Sequence, residues 1–194
     1  SENLRLCVDD RYGIAAAVPC GLMKRGFVMN RRYSIIFNSV TGNTRKLAET
    51  IREALPQEDC DHFGALEGEV PTSQRLYIGF WTDKGNADQA TLELLSKLKN
   101  KEIFLFGTAG FGGSEAYFRT VLDHVKPFID GSNTVVGEYM CQGKMPQSVR
   151  ARYLKMKEQP EHPANLDALI KNFDSALSHP DEEDLDKLRK AVAK

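Results

Sequence analysis

The sequence has little that would mark a metal, a membrane or a nucleic-acid partner. Its four cysteines, Cys7, Cys20, Cys60 and Cys141, are scattered through 194 residues, and no two form a CxxC pair. The four histidines, His62, His124, His162 and His179, are equally dispersed. No cysteine–histidine spacing suits a zinc ion, so no metal is expected. Free thiols acting as small apolar side chains fit a reducing, cytoplasmic setting. No apolar run approaches the roughly 20 residues of a membrane-spanning helix. The stretch YGIAAAVPCGLM at 12–23 is short, and Asp9 and Asp10 precede it while Lys24 and Arg25 follow it. That charge order is the reverse of a secretory leader. Neither sign of charge dominates: 26 Lys and Arg stand against 27 Asp and Glu, a net charge of −1. A nucleic-acid partner calls for a basic face, and the composition supplies none.

What is present suits one ordinary domain. The chain is 41% hydrophobic and 27% charged, enough apolar residues for a core in a soluble protein. There is no internal repeat and no low-complexity segment. An ordered pattern begins after Met29. Residues 1–28 read either as an extension outside the core fold or as an extra strand or arm packed on it; the domain proper is expected over 29–178.

Within it, strand-like and helix-like runs alternate. YSIIF at 33–37 reads as a buried strand. Leu47, Ile51 and Leu55 then recur at helical spacing until Pro56 ends the run. A short second strand is expected within 60–66. RLYIGF at 75–80 is a third strand, followed by a helix with Asn86 as its cap, Gln89 three residues on, and Leu92, Leu95 and Leu98 inward. EIFLFG at 102–107 is the most apolar strand. Ser114 can cap the next helix, which bears Phe118, Val121, Leu122 and Val125. TVVGEYM at 134–140 is a fifth strand. Pro146 suits the first turn of a helix to about Lys157. Asn165 can cap another, with Leu166, Leu169, Ile170, Phe173 and Leu177 inward. The tail at 179–194 carries acids first and bases last, as a helix dipole prefers, and reads as a short, exposed or loosely docked helix. The implied class is α/β, a parallel sheet with helices on both faces.

In such a sheet the loops at the strands' carboxyl ends share one edge, where ligands bind. Three of these loops are unusual. The first is SVTGNT at 39–44. The hydroxyls of Ser39, Thr41 and Thr44, the Asn43 amide and the free N–H groups of the following helix can converge on one anion. Gly42 lets the backbone approach closely. No lysine follows, so this is not the nucleoside-triphosphate loop. A polar turn that merely caps a helix is the plainer alternative, and the density of donors favours phosphate. The second loop begins with Phe80, Trp81 and Thr82. Trp81, the only tryptophan, comes where a strand ends, and a planar ligand would use it for stacking; a core tryptophan is the alternative. Asp83, Lys84 and Gly85 make a tight turn. The third loop sets Gly107, Gly110, Gly112 and Gly113 around Phe111. It does not fit GxGxxG, and its aromatic reads as a lid or second stacking face. Tyr117, one turn on, reads as helix packing.

A phosphate loop with two aromatic loops suggests a mononucleotide with a planar ring, and here the chain resembles the flavodoxins. Residues 39–44 match the family's T/S-x-T-G-x-T motif at every position. The resemblance covers roughly 33–175, is strongest at the first loop and loosest at the third, and is that of a short-chain flavodoxin with an extra segment after the fifth strand. It implies a five-stranded parallel sheet in the order 2-1-3-4-5 and FMN as cofactor. By the same resemblance, Ser39, Val40, Thr41, Gly42, Asn43 and Thr44 form the phosphate loop. Trp81 packs against one face of the flavin, with Phe80 beside it among the cofactor-binding residues and Thr82, Asp83 and Gly85 at the flavin's edge. Thr108, Ala109, Gly110, Phe111 and Gly112 cover the other side. Gly85 is the candidate for a peptide that turns with the flavin's oxidation state. The implied activity is electron transfer to and from redox protein partners, with no catalytic side chain.

Two features depart from the family. Flavodoxins are usually strongly acidic, and this chain is near neutral. The segment CQGKMPQSVRARY at 141–153 has no place in a minimal flavodoxin; its Lys144, Arg150 and Arg152 form either a basic partner or substrate patch or a solvated helix face. The extra segment also leaves room for an FMN-dependent NAD(P)H:quinone or small-molecule reductase, in which it would wall a pocket above the flavin. A signalling receiver, which shares the fold, needs paired acids after the first strand. FNSVTG supplies none, and that reading is rejected.

Overall fold

The computed structural model describes residues 32–193. The expected extension at 1–28 and the domain's start at residue 29 lie outside that range. Six strands form one sheet: β1 (Tyr33–Phe37), β2 (Cys60–Gly64), β3 (Arg75–Asp83), β4 (Asn86–Ala87), β5 (Glu102–Ala109) and β6 (Thr134–Gln142). Five run parallel in the order β2-β1-β3-β5-β6, which is the expected 2-1-3-4-5 arrangement. The sixth, β4, is an addition to that expectation. It is a two-residue strand that folds back antiparallel on the end of β3.

Alternation along the strands sends side chains into two cores, which is why these strands read as continuous apolar runs. Ile36, Leu76, Ile78, Phe80, Ile103 and Leu105 face α2 (Gln89–Lys97) and α3 (Glu115–Val125). Tyr33, Ile35, Phe37, Tyr77, Phe104 and Phe106 face α1 (Asn43–Ala54) and α6 (Glu182–Val192). Cross-strand register adds a second rule. Gly79 lies opposite Phe106, Phe80 opposite Gly107, and Phe104 opposite Gly137. In each pair the ring covers the glycine, filling space that a side chain would take.

The remaining helices, α4 (Gln147–Lys157) and α5 (Leu166–Ala176), pack on each other. Pro146 stands at the N-cap of α4, and Ser114 caps α3 by accepting from Tyr117 N.

Three expectations are corrected. The cap of α2 is Asp88, not Asn86: Asp88 Oδ1 accepts from Thr91 N at 3.1 Å. Asn86 is taken up in the β3–β4 hairpin, where its side chain bonds the Ala87 N–H. Leu177 points outward, 44% exposed, because α5 ends at Ala176. The tail is no loose appendage. Leu185 and Leu188 of α6 are buried against the core that α1 covers. A reciprocal Asp181–Asp184 capping box starts the helix, and Tyr139 Oη donates to Asp184 O at 2.6 Å.

Candidate functional site

The first loop delivers the amino end of α1 to the carboxyl edge of the sheet. Gly42 adopts φ 89°, open to glycine without strain, as the residue before the helix. Helix geometry leaves the N–H groups of Asn43 and Thr44 without intrahelical acceptors. The side chains divide the work differently from the expectation. Ser39 Oγ accepts from Arg45 N at 3.2 Å. Thr44 is buried; its Oγ1 donates to Phe80 O at 3.2 Å and lies 3.1 Å from Thr108 Oγ1. Its hydroxyl therefore ties α1 to the ends of β3 and β5 instead of facing a ligand. Thr44→Val is expected to cost about 1–2 kcal/mol of stability in chemical denaturation, because it removes the buried hydroxyl's bonds to Phe80 O and Thr108 Oγ1. A loss within error would remove this structural role. Thr41 keeps the outward position.

The second loop is a two-residue hairpin. Lys84 (φ 49°) and Gly85 (φ 79°) both lie in the left-handed region, which matches the twist of the flanking strands. Gly85 O lies 2.9 Å from His124 Nδ1. The side chain of Phe80 is fully buried in the core, a correction to its assignment beside a ligand: strand alternation points it at α2 and α3. Trp81 and Thr82 follow at the strand's end on the cavity side.

The third loop is held from below. Gly110 O accepts from Gln142 Nε2 (3.2 Å) and Asn172 Nδ2 (3.0 Å). Phe111 is half-exposed and meets Tyr117 edge-on, with centroids 5.8 Å apart. Gly112 packs on the Tyr117 ring and does not line the cavity. Burial raises the Tyr117 phenol above its ordinary value and keeps it protonated.

A fourth wall comes from the extra segment. Gly143 N donates to Ala109 O at 3.0 Å, Lys144 N to His179 O at 2.9 Å, and Asn43 Nδ2 to Lys144 O at 2.8 Å. Met145 lies where a side chain on Gly110 would be, 2.3 Å from the position of its Cβ. Pro146, Val149, Arg152 and Tyr153 continue the wall.

Together these segments enclose a cavity of ≈ 530 Å³. Of the expected residues, Val40, Thr41, Asn43, Trp81, Thr82, Asp83, Gly85, Thr108, Ala109, Gly110 and Phe111 line it. Ser39, Gly42, Thr44, Phe80 and Gly112 do not. Gly42 instead borders a smaller basin of ≈ 180 Å³, shared by Thr41, Asn43, Lys46, Lys144 and His179. Met145, Pro146, Val149 and Tyr153 belong to the extra segment expected to wall a pocket only in the reductase alternative, and Tyr117 was expected in helix packing. Their signal was positional: a segment leaving the fifth parallel strand starts on the ligand edge.

A comparable hollow of ≈ 580 Å³ lies between α3, β6 and α6. It is lined by the acids Glu115, Glu138, Asp181, Glu183 and Asp184 together with Arg119 and Lys187, and Gly113 at the end of the third loop reaches it. His179, Asp181 and Asp184 bring possible ligand atoms within 4.8 Å of one another, but these are the atoms of the α6 cap. Burial pushes the Cys141 thiol far above its ordinary range, so it is no nucleophile. Among the described residues, no helix is long and apolar enough to cross a membrane.

A parallel sheet with a donor-rich helix pole and aromatic loops at its carboxyl edge defines a flavodoxin-like α/β protein. Residues 34–193 match the family model for the flavodoxin domain. The chain is 39% identical over 171 residues to the flavodoxin-like domain-containing protein BilS of Clostridium symbiosum (strain WAL-14163), covering 79% of this chain and 90% of that one. To the BilS protein of Clostridioides difficile (strain CD3) it is 28% identical over 155 residues, covering 78% and 88%. Among solved structures, a short-chain flavodoxin associated with a bacterial microcompartment superposes with a TM-score of 0.50 at 15% identity, over 84% of this chain and 93% of that one. That likeness concerns the fold alone. The chain belongs to the flavodoxin family.

FMN, the cofactor that membership implies, fits the site. The cavity falls within the range of about 300–1,000 Å³ typical of small-molecule sites. Thr82 Oγ1, buried with no hydrogen-bond partner, sits on its lining, as expected of a group left for a polar ligand edge. The pole of α1 and Thr41 suit a phosphate.

Proposed function

We propose that this protein binds FMN in the ≈ 530 Å³ cavity and carries electrons between redox partners. The observation that carries the reading is the convergence of the α1 pole, Trp81 and the orphaned Thr82 hydroxyl on one cavity. Bound FMN supplies the redox chemistry. The chain's own residues hold and orient it. Asn43 and Thr44 N–H groups and the Thr41 hydroxyl receive the phosphate. Trp81 offers a stacking surface, and Met145 with Val149 excludes water from the opposite wall. Asp83 is the one carboxylate on the described lining, so no acid–base pair stands ready to move protons.

The test is an FMN titration followed by visible absorption. A yellow protein with one FMN per chain is expected; protein that stays colourless with excess FMN would overturn the reading. Trp81→Ala is expected to weaken FMN about 10- to 100-fold, the equivalent of about 1–3 kcal/mol of stacking.

A second reading, an FMN-dependent reductase of quinones or other small molecules, is favoured by one observation. The segment from Lys144 to Tyr153 walls the cavity mouth, as a substrate pocket would require. Steady-state NAD(P)H oxidation by the FMN-loaded protein separates the two; sustained turnover with a quinone would make the reductase the better description.

A further inference from the structure

The charges of this near-neutral chain are unevenly placed. From Lys144 to Lys157 the sequence carries five cations, Lys144, Arg150, Arg152, Lys155 and Lys157, and no acid. Two of them are answered by α5: Arg150 pairs with Asp174 and Lys157 with Asp167. Lys144, Arg152 and Lys155 have no carboxylate partner among the described residues. Lys84, exposed at the tip of the β3–β4 hairpin, has none either. Lys84, Lys144 and Arg152 all border the ≈ 530 Å³ cavity, against the single acid Asp83. The first turn of α1, at the same edge, contains no acid. Five acids line the hollow between α3, β6 and α6, beside only two cations, Arg119 and Lys187.

The cavity mouth also exposes apolar side chains. Val40 is 69% exposed and Phe111 49%, both on the lining. Leu154, next to Tyr153 on α4, is 42% exposed. A small anion would need only the cations. Apolar points standing proud of a cationic ring are what a protein surface meets: the apolar contacts exclude water while the charges steer and orient.

We propose that the cavity mouth, formed by Lys84, Lys144 and Arg152 around Val40 and Phe111, docks an acidic face of a redox protein. This rests on the functional reading above and goes beyond it in setting the sign of the partner's charge. Charge complementarity at this edge speeds encounter and fades as salt screens it over about 8–10 Å.

Two experiments test it. In the first, FMN-loaded protein is fully reduced and mixed with ferricyanide or hexaammineruthenium(III), each taking one electron, so that two equivalents oxidise one FMN. Between about 20 mM and 0.5 M salt, the ferricyanide rate is expected to fall about tenfold and the ruthenium rate to rise. Lys84→Glu with Arg152→Glu is expected to flatten or invert both trends. A ferricyanide rate that is flat or rises with salt in the unaltered protein overturns the proposal. The second experiment needs no flavin. A glutamate-rich peptide is titrated into isotope-labelled protein and followed by NMR. Shifts confined to the surroundings of Lys84, Lys144 and Arg152, lost at high salt, support the docking face; absent shifts, or shifts spread over the whole surface, overturn it. Failure to take up FMN at all would defeat the functional reading and leave the second experiment to decide this one.

Discussion

Replacing Gly79 by alanine is expected to destabilise the protein by about 3 kcal/mol, at the upper end of what overpacking a core costs. Gly79 lies in β3 between β1 and β5, opposite Phe106. A Cβ there would stand 2.3 Å from Phe106 Cζ, 2.4 Å from Cε2 and 2.8 Å from Phe37 Cβ. Phe106 is fully buried, in a core where a ring moves only by displacing its neighbours. Phe37 Cβ is attached to the backbone and can move only with its strand. Gly79 O also accepts from Asn38 N at 3.2 Å, holding the start of the phosphate loop. A shifted β3 would therefore disturb the site as well as the core. Gly131→Ala is the control, since nothing lies within 4 Å of its added Cβ. Urea titration should show a lower midpoint at unchanged slope for Gly79→Ala and little change for Gly131→Ala. Equal midpoints for the two would remove the ring-over-glycine account of the sheet.

Leu188→Ala is expected to cost about 2–5 kcal/mol, the range for truncating a fully buried leucine. Leu188 has no exposed surface and packs in the cluster that holds Leu47, Ala48 and Ile51 of α1. Removing residues 181–194 altogether takes away Leu185 as well, and with it the carbonyl of Asp184 that receives the Tyr139 hydroxyl. That shortened chain is expected to bind hydrophobic dye and melt without a cooperative transition. Glu183→Ala provides the contrast. It breaks an exposed pair with Lys187, and such pairs contribute little. If Leu188→Ala proved as mild as Glu183→Ala, α6 would be the loose tail that its charge pattern suggests.

Several elements of the site were legible in the sequence because their signals are local. A β-branched run ending in SVTGNT before a helical period encodes strand, loop and helix within some twenty residues. Trp81 and Phe111 were legible the same way, one at the end of a strand and the other just past one. The fate of Thr44 was not legible. Its hydroxyl has two available directions, toward a ligand or toward Phe80 O and Thr108, and the second depends on residues 36 and 64 positions away. The Asn86 and Asp88 caps were indistinguishable by residue type; the hairpin with β3 removed one of them. Leu185 and Leu188 were visible as an i, i+3 pair, but the acids around them hid the face that docks.

The sequence by itself determined the succession of the five parallel strands and their helices, the loops that meet at one edge and the phosphate motif, because each depends on neighbours within a turn or a strand. Only the tertiary structure decided which hydroxyls face the cavity, that α6 completes a core, and that the segment from Lys144 to Tyr153 closes the site with a cationic mouth. Those outcomes rest on contacts between residues far apart in the chain, whose geometry no local pattern encodes.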